Sequence, residues 1–291
     1  MTEREYRMPS SGEVRPTNLI RVIPHPLTVY IADKFLGEGL TEEGHKKLKN
    51  LVKKMLEREK VQASREVPQI YQDCGFEFKI EGAENIPKSG STLFIGNHTR
   101  SGPLAGMAQY FETTQIVHDE RTQVYDEHLR EPVAIAQRGL TKIRRLPGGR
   151  KLVFTVPFTP QFYDMAAEAL NWVTVDIARF DSSGQIVNWQ RLPRRVTEDL
   201  IAGGAVLWFP QGKHEEPSNL AMPEKSEGLL TKLKDKDVKL VAMRFVPADK
   251  LPSMSIFFSD AVHIQAIPQP EGRVDMAAFV ARYLEPLGPK S

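Results

Sequence analysis

His98 is the side chain in this sequence best placed to move a proton. It follows a short apolar run, Thr92-Leu93-Phe94-Ile95-Gly96, and then Asn97. Imidazole titrates near neutral pH and acts as a general base once a neighbour fixes its tautomer. A second apolar run, Ala205-Val206-Leu207-Trp208, leads into Phe209-Pro210-Gln211-Gly212. A Pro-Gln-Gly turn brings main-chain N–H groups and a polar side chain to a strand end. If the two runs are strands of one sheet, histidine and turn meet at the edge where α/β folds place their ligands. A histidine at a strand end can also be a purely structural hydrogen-bonding residue, so its surroundings decide.

The elements that must position this pair follow from patterning. Residues 1–24 carry Pro9, Ser10, Ser11, Gly12 and Pro16 and read as an irregular lead. A short helix is expected over 27–36. Thr41 then caps a clearer one, with Leu48, Leu51, Val52, Met55 and Leu56 on one face. Its other face carries Lys46, Lys47, Lys49, Lys53 and Lys54, which suits contact with an anionic surface or plain solvation. From residue 75 short apolar runs alternate with helical stretches. Strands are expected at Phe76–Ile80, Thr92–Gly96, Gln115–Val117, Pro132–Ala136, Trp172–Ile177, Ala205–Phe209, Lys239–Phe245 and Met254–Phe258. Helices are expected over 104–111, 160–170, 193–202, 224–234 and 275–285. This alternation predicts an α/β fold with a largely parallel, buried sheet flanked by helices. The chain divides into a lead with a helical extension, 1–70, and an α/β domain, 71–291.

Composition narrows the function. The 291 residues are 41% hydrophobic and 26% charged, with a net charge of +2. That balance gives no overall field for nucleic acid, and any basic surface must be local. The single cysteine, Cys74, can close no internal disulfide, and no Cys/His spacing marks a metal centre. No apolar run is long enough for a membrane span, and the first residues lack a signal-peptide core. A cytoplasmic protein is expected. Gly-x-Ser-x-Gly is absent, so a hydrolase nucleophile elbow is unsupported. Asp119-Glu120 and Asp126-Glu127 lie near His118 and His128; scattered surface charge is the simpler reading, and no metal is expected.

Four blocks in order resemble the glycerolipid acyltransferase family, which includes lysophosphatidate and glycerol-3-phosphate acyltransferases. Ile80-Glu81-Gly82-Ala83-Glu84-Asn85-Ile86-Pro87 followed by Thr92 to His98 resembles the first. Val173 to Arg179 resembles the second, a strand leading to an arginine. Leu200 to Gly212 resembles the third, and Lys225-Ser226-Glu227-Gly228 with Lys239 to Met243 resembles the stretch ending in the fourth. The resemblance spans residues 76–265. It implies a glycerolipid-acyltransferase-like sandwich and acyl transfer from a coenzyme A or acyl-carrier-protein thioester to a hydroxyl of a lipid or polyol. It implies His98 as the base. Asn97, Arg179, Phe209, Pro210, Gln211, Gly212 and Lys213 would form the acceptor side, with Gln211 orienting a hydroxyl and Arg179 and Lys213 holding an anionic group. The thioester would be a co-substrate rather than a resident cofactor, and contact with the inner face of a membrane would be peripheral.

This chain departs from the family pattern at two places. The family's His-x-x-x-x-Asp reads His98 to Pro103 here, and proline has no acceptor to orient an imidazole. In serine hydrolases loss of the orienting aspartate costs about 10⁴-fold in rate. Asp119, Glu120, Asp176 or a main-chain carbonyl would have to replace it. In the third block Gln211 stands for the family glutamate, and Lys213-His214 for Thr-Arg. Arg138, Lys142, Arg144 and Arg145, with Arg150 and Lys151, form a basic stretch. It suits coenzyme A phosphates, the acidic face of a carrier protein, lipid headgroups or simple solvation. Two further readings stay open: a relative that binds acyl chains, acyl-CoA or lipid without turnover, and a scaffold that keeps only the fold.

Overall fold

The computed structural model describes residues 25–37, 39–98, 102–137, 141–145, 151–155, 159–175, 179–180, 186–188, 194–211, 218–222, 226–247 and 253–288. The described residues open with helix α1 (His25–Leu36) and helix α2 (Glu42–Leu56). Thr41 caps α2 as expected, its hydroxyl accepting from the Gly44 N–H at 3.1 Å. Two short turns follow, α3 (Ala63–Glu66) and α4 (Pro68–Tyr71). Leu48, Leu51, Val52 and Met55 are buried, in one cluster with Ile70, Phe111, Ala166 and Leu170 of later elements.

The α/β part then runs β1 (Glu77–Glu81), β2 (Thr92–Gly96), helix α5 (Gly102–Glu120), the single turn α6 (Glu127–Arg130), β3 (Val133–Gln137) and the ribbon β4 (Thr141–Arg145) with β5 (Lys151–Thr155). Next come helix α7 (Thr159–Ala169), β6 (Trp172–Val175), a second ribbon of β7 (Arg179–Phe180) with β8 (Ile186–Asn188), helix α8 (Arg194–Ile201) and β9 (Ala205–Trp208). The chain closes with helix α9 (Glu227–Leu233), β10 (Lys239–Pro247), β11 (Ser253–Phe258), β12 (Val262–His263) and α10 (Met276–Phe279), which runs on as a π turn, Val280–Leu284.

The main sheet has the order β1-β11-β10-β2-β9-β3-β6, with β12 beside β10. The pairs β1–β11, β10–β2, β2–β9, β9–β3 and β3–β6 are parallel, and among the described residues of this sheet only the pairings of β10 with β11 and β12 are antiparallel. This is the mixed, mostly parallel α/β sheet flanked by helices that the sequence predicts. Both central strands are fully buried along their length, because helices cover both faces. No helix among the described residues is long and apolar enough to cross a membrane.

One expected strand is wrong. Gln115–Val117 lies inside α5, which is far longer than the helix expected over 104–111. Phe111, Thr113, Thr114, Ile116, Val117 and His118 are all buried, and the β-branched Thr113, Thr114, Ile116 and Val117 make the middle of the helix read like a short core strand. Thr113 and Thr114 fit the helix by donating their hydroxyls to the Gln109 and Tyr110 carbonyls one turn back.

Candidate functional site

The parallel register puts Ile95 of β2 opposite Trp208 of β9. Asn97-His98 and Phe209-Pro210-Gln211 therefore leave the sheet side by side at its C-terminal edge. Gly96 makes the exit possible. A Cβ there would stand 3.1 Å from atoms of Met243, Phe209 and Phe245 at once, tighter than ordinary packing allows.

Asn97 continues the sheet with its side chain. Its Nδ2 donates to the Phe245 carbonyl at 3.1 Å, and the Phe245 N–H donates to its Oδ1 at 2.8 Å. The amide behaves as one more peptide unit pairing with β10 after the β2 main chain has turned away. Gln109 of α5 closes over it, donating to the Asn97 carbonyl at 3.5 Å.

Gln211 fixes the next residue. Its Oε1 accepts from the His98 N–H at 2.7 Å. Its Nε2 donates to the carbonyls of Asn219 at 2.7 Å and Ala221 at 3.3 Å. Asn97 is 1% exposed and Gln211 is 2% exposed. Both amides, expected on the acceptor side, are hydrogen-bonded inside the protein here. His98 itself is half-buried. Its ring lies 5.6 Å from that of Phe209, which in turn lies 5.8 Å from Phe245 and 5.9 Å from Tyr110. Burial pushes the Tyr110 phenol far above its usual value, with the Glu131 charge adding to it. The imidazole thus has an aromatic wall on one side.

Two of the proposed substitute orienting groups are in the wrong place. Asp119 pairs with Arg65 at 2.9 Å, and Glu120 pairs with Lys88 just before β2. Both sit at the opposite edge of the sheet, one strand length of about 16 Å away. Asp176 lies outside the described residues. Pro103 occupies the first turn of α5, where its missing N–H deprives the helix of no bond and its fixed φ favours helix entry.

Of the other expected site residues, Arg179 is in β7, just past the C-terminal end of β6. That strand runs parallel to β2 three places along the sheet, a separation of about 14 Å at the usual strand spacing. Lys142, Arg144 and Arg145 are in β4, in the ribbon that follows the same edge of β3. Arg138, Gly212 and Lys213 lie outside the described residues. The basic face expected on α2 is largely matched by acid. Lys46 pairs with Glu42 and Glu43, Lys47 with Asp73, Lys49 with Asp33, and Lys54 with Glu66.

One group of metal-type ligands stands apart. Ligand atoms of His118, Glu127 and Glu131 lie within 4.8 Å of one another. Each is already engaged by protein. His118 Nε2 contacts Glu127 Oε1 at 2.9 Å, and Gln62 donates to that oxygen at 2.6 Å. The Ser64 N–H and hydroxyl donate to the two oxygens of Glu131 at 2.7 and 2.6 Å. The His118 hydrogen bond draws the Glu127 carboxyl below its usual value, whereas burial pushes Glu131 above it.

Sequence reasoning missed Gln109, Phe245, and the carbonyls of Asn219 and Ala221. Only Gln109 left a trace, a polar residue in an otherwise apolar stretch behind the histidine turn. The others act through main chain, which carries no sequence signature.

No family model matches the sequence, and no curated protein matches it. Among solved structures, the 1-acyl-sn-glycerophosphate (LPA) acyltransferase PlsC from Thermotoga maritima aligns with 88% of this chain and 92% of its own. The identity is 14% and the TM-score 0.39. The functional reading therefore rests on the residues of this chain.

Proposed function

We propose that this protein transfers an acyl group from a coenzyme A or acyl-carrier-protein thioester to a hydroxyl of a glycerolipid-like or other polyol acceptor. One observation carries the reading. His98 and the Phe209–Gln211 corner are adjacent at the C-terminal ends of neighbouring parallel strands, within sequence blocks that resemble those of the glycerolipid acyltransferases. In this reading the His98 imidazole takes the acceptor's hydroxyl proton. The oxygen forms a bond to the thioester carbonyl carbon, the C–S bond breaks, and the thiolate leaves with the proton held by the imidazolium. Arg179 and Lys213 hold the acceptor's anionic group, Gly212 shapes the turn beside it, and Arg138, Lys142, Arg144 and Arg145 receive the donor's phosphates or carrier. Membrane contact is peripheral. Exposed Leu27 and Tyr30 on α1, with Lys34 beside the Tyr30 ring, offer apolar and basic surface for it.

A second reading, binding of acyl chains or acyl-CoA without turnover, is favoured by Pro103 where the family carries an orienting aspartate. One experiment separates the two. The purified chain is incubated with a mixed acyl-CoA pool and a panel of lysophospholipids and polyols, and mass spectrometry follows new esters and retained ligand. Ester formation that falls at least about 10³-fold in His98→Ala supports catalysis by His98. Retained acyl ligand with no ester supports the binding reading. Ester formation that survives His98→Ala sinks the role assigned to the imidazole.

A further inference from the structure

We infer that Gln211 is a positioning residue that works only as an amide, tying the His98 main chain to the 219–221 loop. The inference rests on the functional proposal only in naming His98 as the base. The geometry itself is independent of it.

Three hydrogen bonds meet on one side chain. Oε1 accepts from His98 N–H at 2.7 Å, and Nε2 donates to Asn219 O and Ala221 O at 2.7 and 3.3 Å. The group is 2% exposed, so water cannot replace a lost partner. An amide matches this surrounding because it offers an acceptor at one end and two donors at the other. A carboxylate does not. Its second oxygen would face two carbonyl oxygens, acceptor against acceptor, with a buried negative charge. A protonated carboxyl restores part of the match: its O–H donates to the Asn219 carbonyl while its C=O accepts from His98, leaving only Ala221 O without a donor.

Position 211 is therefore where the chain's departure from the family glutamate has a physical reason. The loop carbonyls of Asn219 and Ala221 point at the side chain, and they require a donor there. Gln211→Glu, which would restore the family residue, is expected to loosen the corner at neutral pH. A glutamate held against two carbonyls in the interior has its folded pKa raised above the unfolded value of about 4.3. Its contribution to the fold is then fully present below that value and lost as pH rises through the raised one.

The test uses the full chain and reads the His98 amide directly by hydrogen exchange, normalised to the intrinsic rate at each pH. In wild type the amide is expected to be protected equally at pH 5 and pH 8. In Gln211→Glu, protection is expected to approach wild type at pH 5 and to drop about tenfold or more at pH 8. In Gln211→Met, which keeps the length but neither donor nor acceptor, the drop is expected at both. If transfer activity is found, Gln211→Glu should lower kcat with rising pH and leave the donor KM unchanged. A wild-type His98 amide that exchanges at the unstructured rate overturns the inference, as does a Gln211→Glu deficit that is the same at pH 5 and pH 8. Should Gln211→Glu fail to fold at both pH values, the wild-type measurement alone decides. Lack of acyl transfer by wild type removes the functional proposal and leaves the exchange result standing.

Discussion

The molecule contains two half-built resemblances to a catalytic histidine site, at opposite edges of one sheet. At the N-terminal edge His118 has carboxylate partners: Asp119 at 3.3 Å from Nδ1 and Glu127 at 2.9 Å from Nε2. It is 2% exposed, with a carboxylate on each ring nitrogen, so no substrate atom can reach it. At the C-terminal edge His98 is half-buried, and the groups that set its main chain are the neutral amides of Asn97, Gln109 and Gln211. A histidine beside a carboxylate is therefore no diagnosis of a site, since salt-bridged networks that only hold elements together produce the same pair. At the C-terminal edge it is amides that fix the backbone around the histidine, and at the N-terminal edge it is carboxylates that hold the ring.

The charged edge should be the costlier one to damage. Arg121, fully buried, donates to the carbonyls of Gly90 and Gly203 and to the Thr92 hydroxyl, joining the starts of β2 and β9. Burial pulls its guanidinium down to about 10, so it remains charged at neutral pH. Arg121→Met removes charge-assisted hydrogen bonds to Gly90, Thr92 and Gly203 and takes the guanidinium donor from the Gly203 carbonyl, while the Gly90 carbonyl keeps the Thr92 hydroxyl. It should cost about 3 kcal/mol or more, read as a shift of the urea midpoint at constant slope. If the two edges are independent, protection of the His98 amide against local opening should stay near the wild-type value. Loss of that protection by local opening would join the edges into one unit and break the comparison.

Asn97→Ala makes the corresponding cut at the amide edge. It deprives the Phe245 N–H and C=O of their partners, and both groups are buried. The expected loss is about 2 kcal/mol. Here the His98 amide should lose protection together with that of Phe245, because Asn97 is what carries β2 past its last main-chain pair. A variant that is destabilised while His98 keeps full protection would show that the histidine turn is held without Asn97.

The contrast also explains what the sequence made readable. The buried runs of β2 and β9, the cap at Thr41 and the adjacency of His98 to Gln211 follow from apolar patterning and the rules of parallel sheets. The mistaken strand at Gln115–Val117 came from the β-branched residues Thr113, Thr114, Ile116 and Val117 in the middle of a helix. The roles of Asn97 and Gln211 were out of reach for another reason. An amide that binds main chain and an amide that binds a ligand are the same residue in a sequence. The difference lies in the carbonyls of Phe245, Asn219 and Ala221, which every residue type possesses. The ribbon β4–β5 was missed because its strands flank Pro147-Gly148-Gly149 amid basic residues, which read as a loop.

The smallest expected effect is the one that best sharpens the difference between charge and amide. Glu131 is 8% exposed and accepts from both donors of Ser64, yet burial still pushes its carboxyl above the usual range. A raised folded value means that the contribution of Glu131 is fully present below the unfolded pKa of about 4.3 and is lost as pH rises through the folded one. Glu127 has the opposite sign. Its folded value is depressed, first by the His118 hydrogen bond, so its contribution is present above about 4.3 and lost as pH falls. Glu131→Gln removes the first dependence and keeps the second. Its amide oxygen accepts the Ser64 N–H, and its NH2 donates to the Ser64 hydroxyl, which can turn to accept. Net stability should therefore change by no more than about 1 kcal/mol at pH 5. Relative to wild type, the variant should gain as pH rises from 5 and level off once Glu131 of the wild type is ionised. Urea titrations of both proteins at pH 5, 6.5 and 8 measure that gain. A difference that is flat, or that favours wild type as pH rises, would mean that the Ser64 hydrogen bonds outweigh desolvation at Glu131. The charged edge would then be stabilised by its ion, and the distinction between the two edges would be one of position rather than of chemistry.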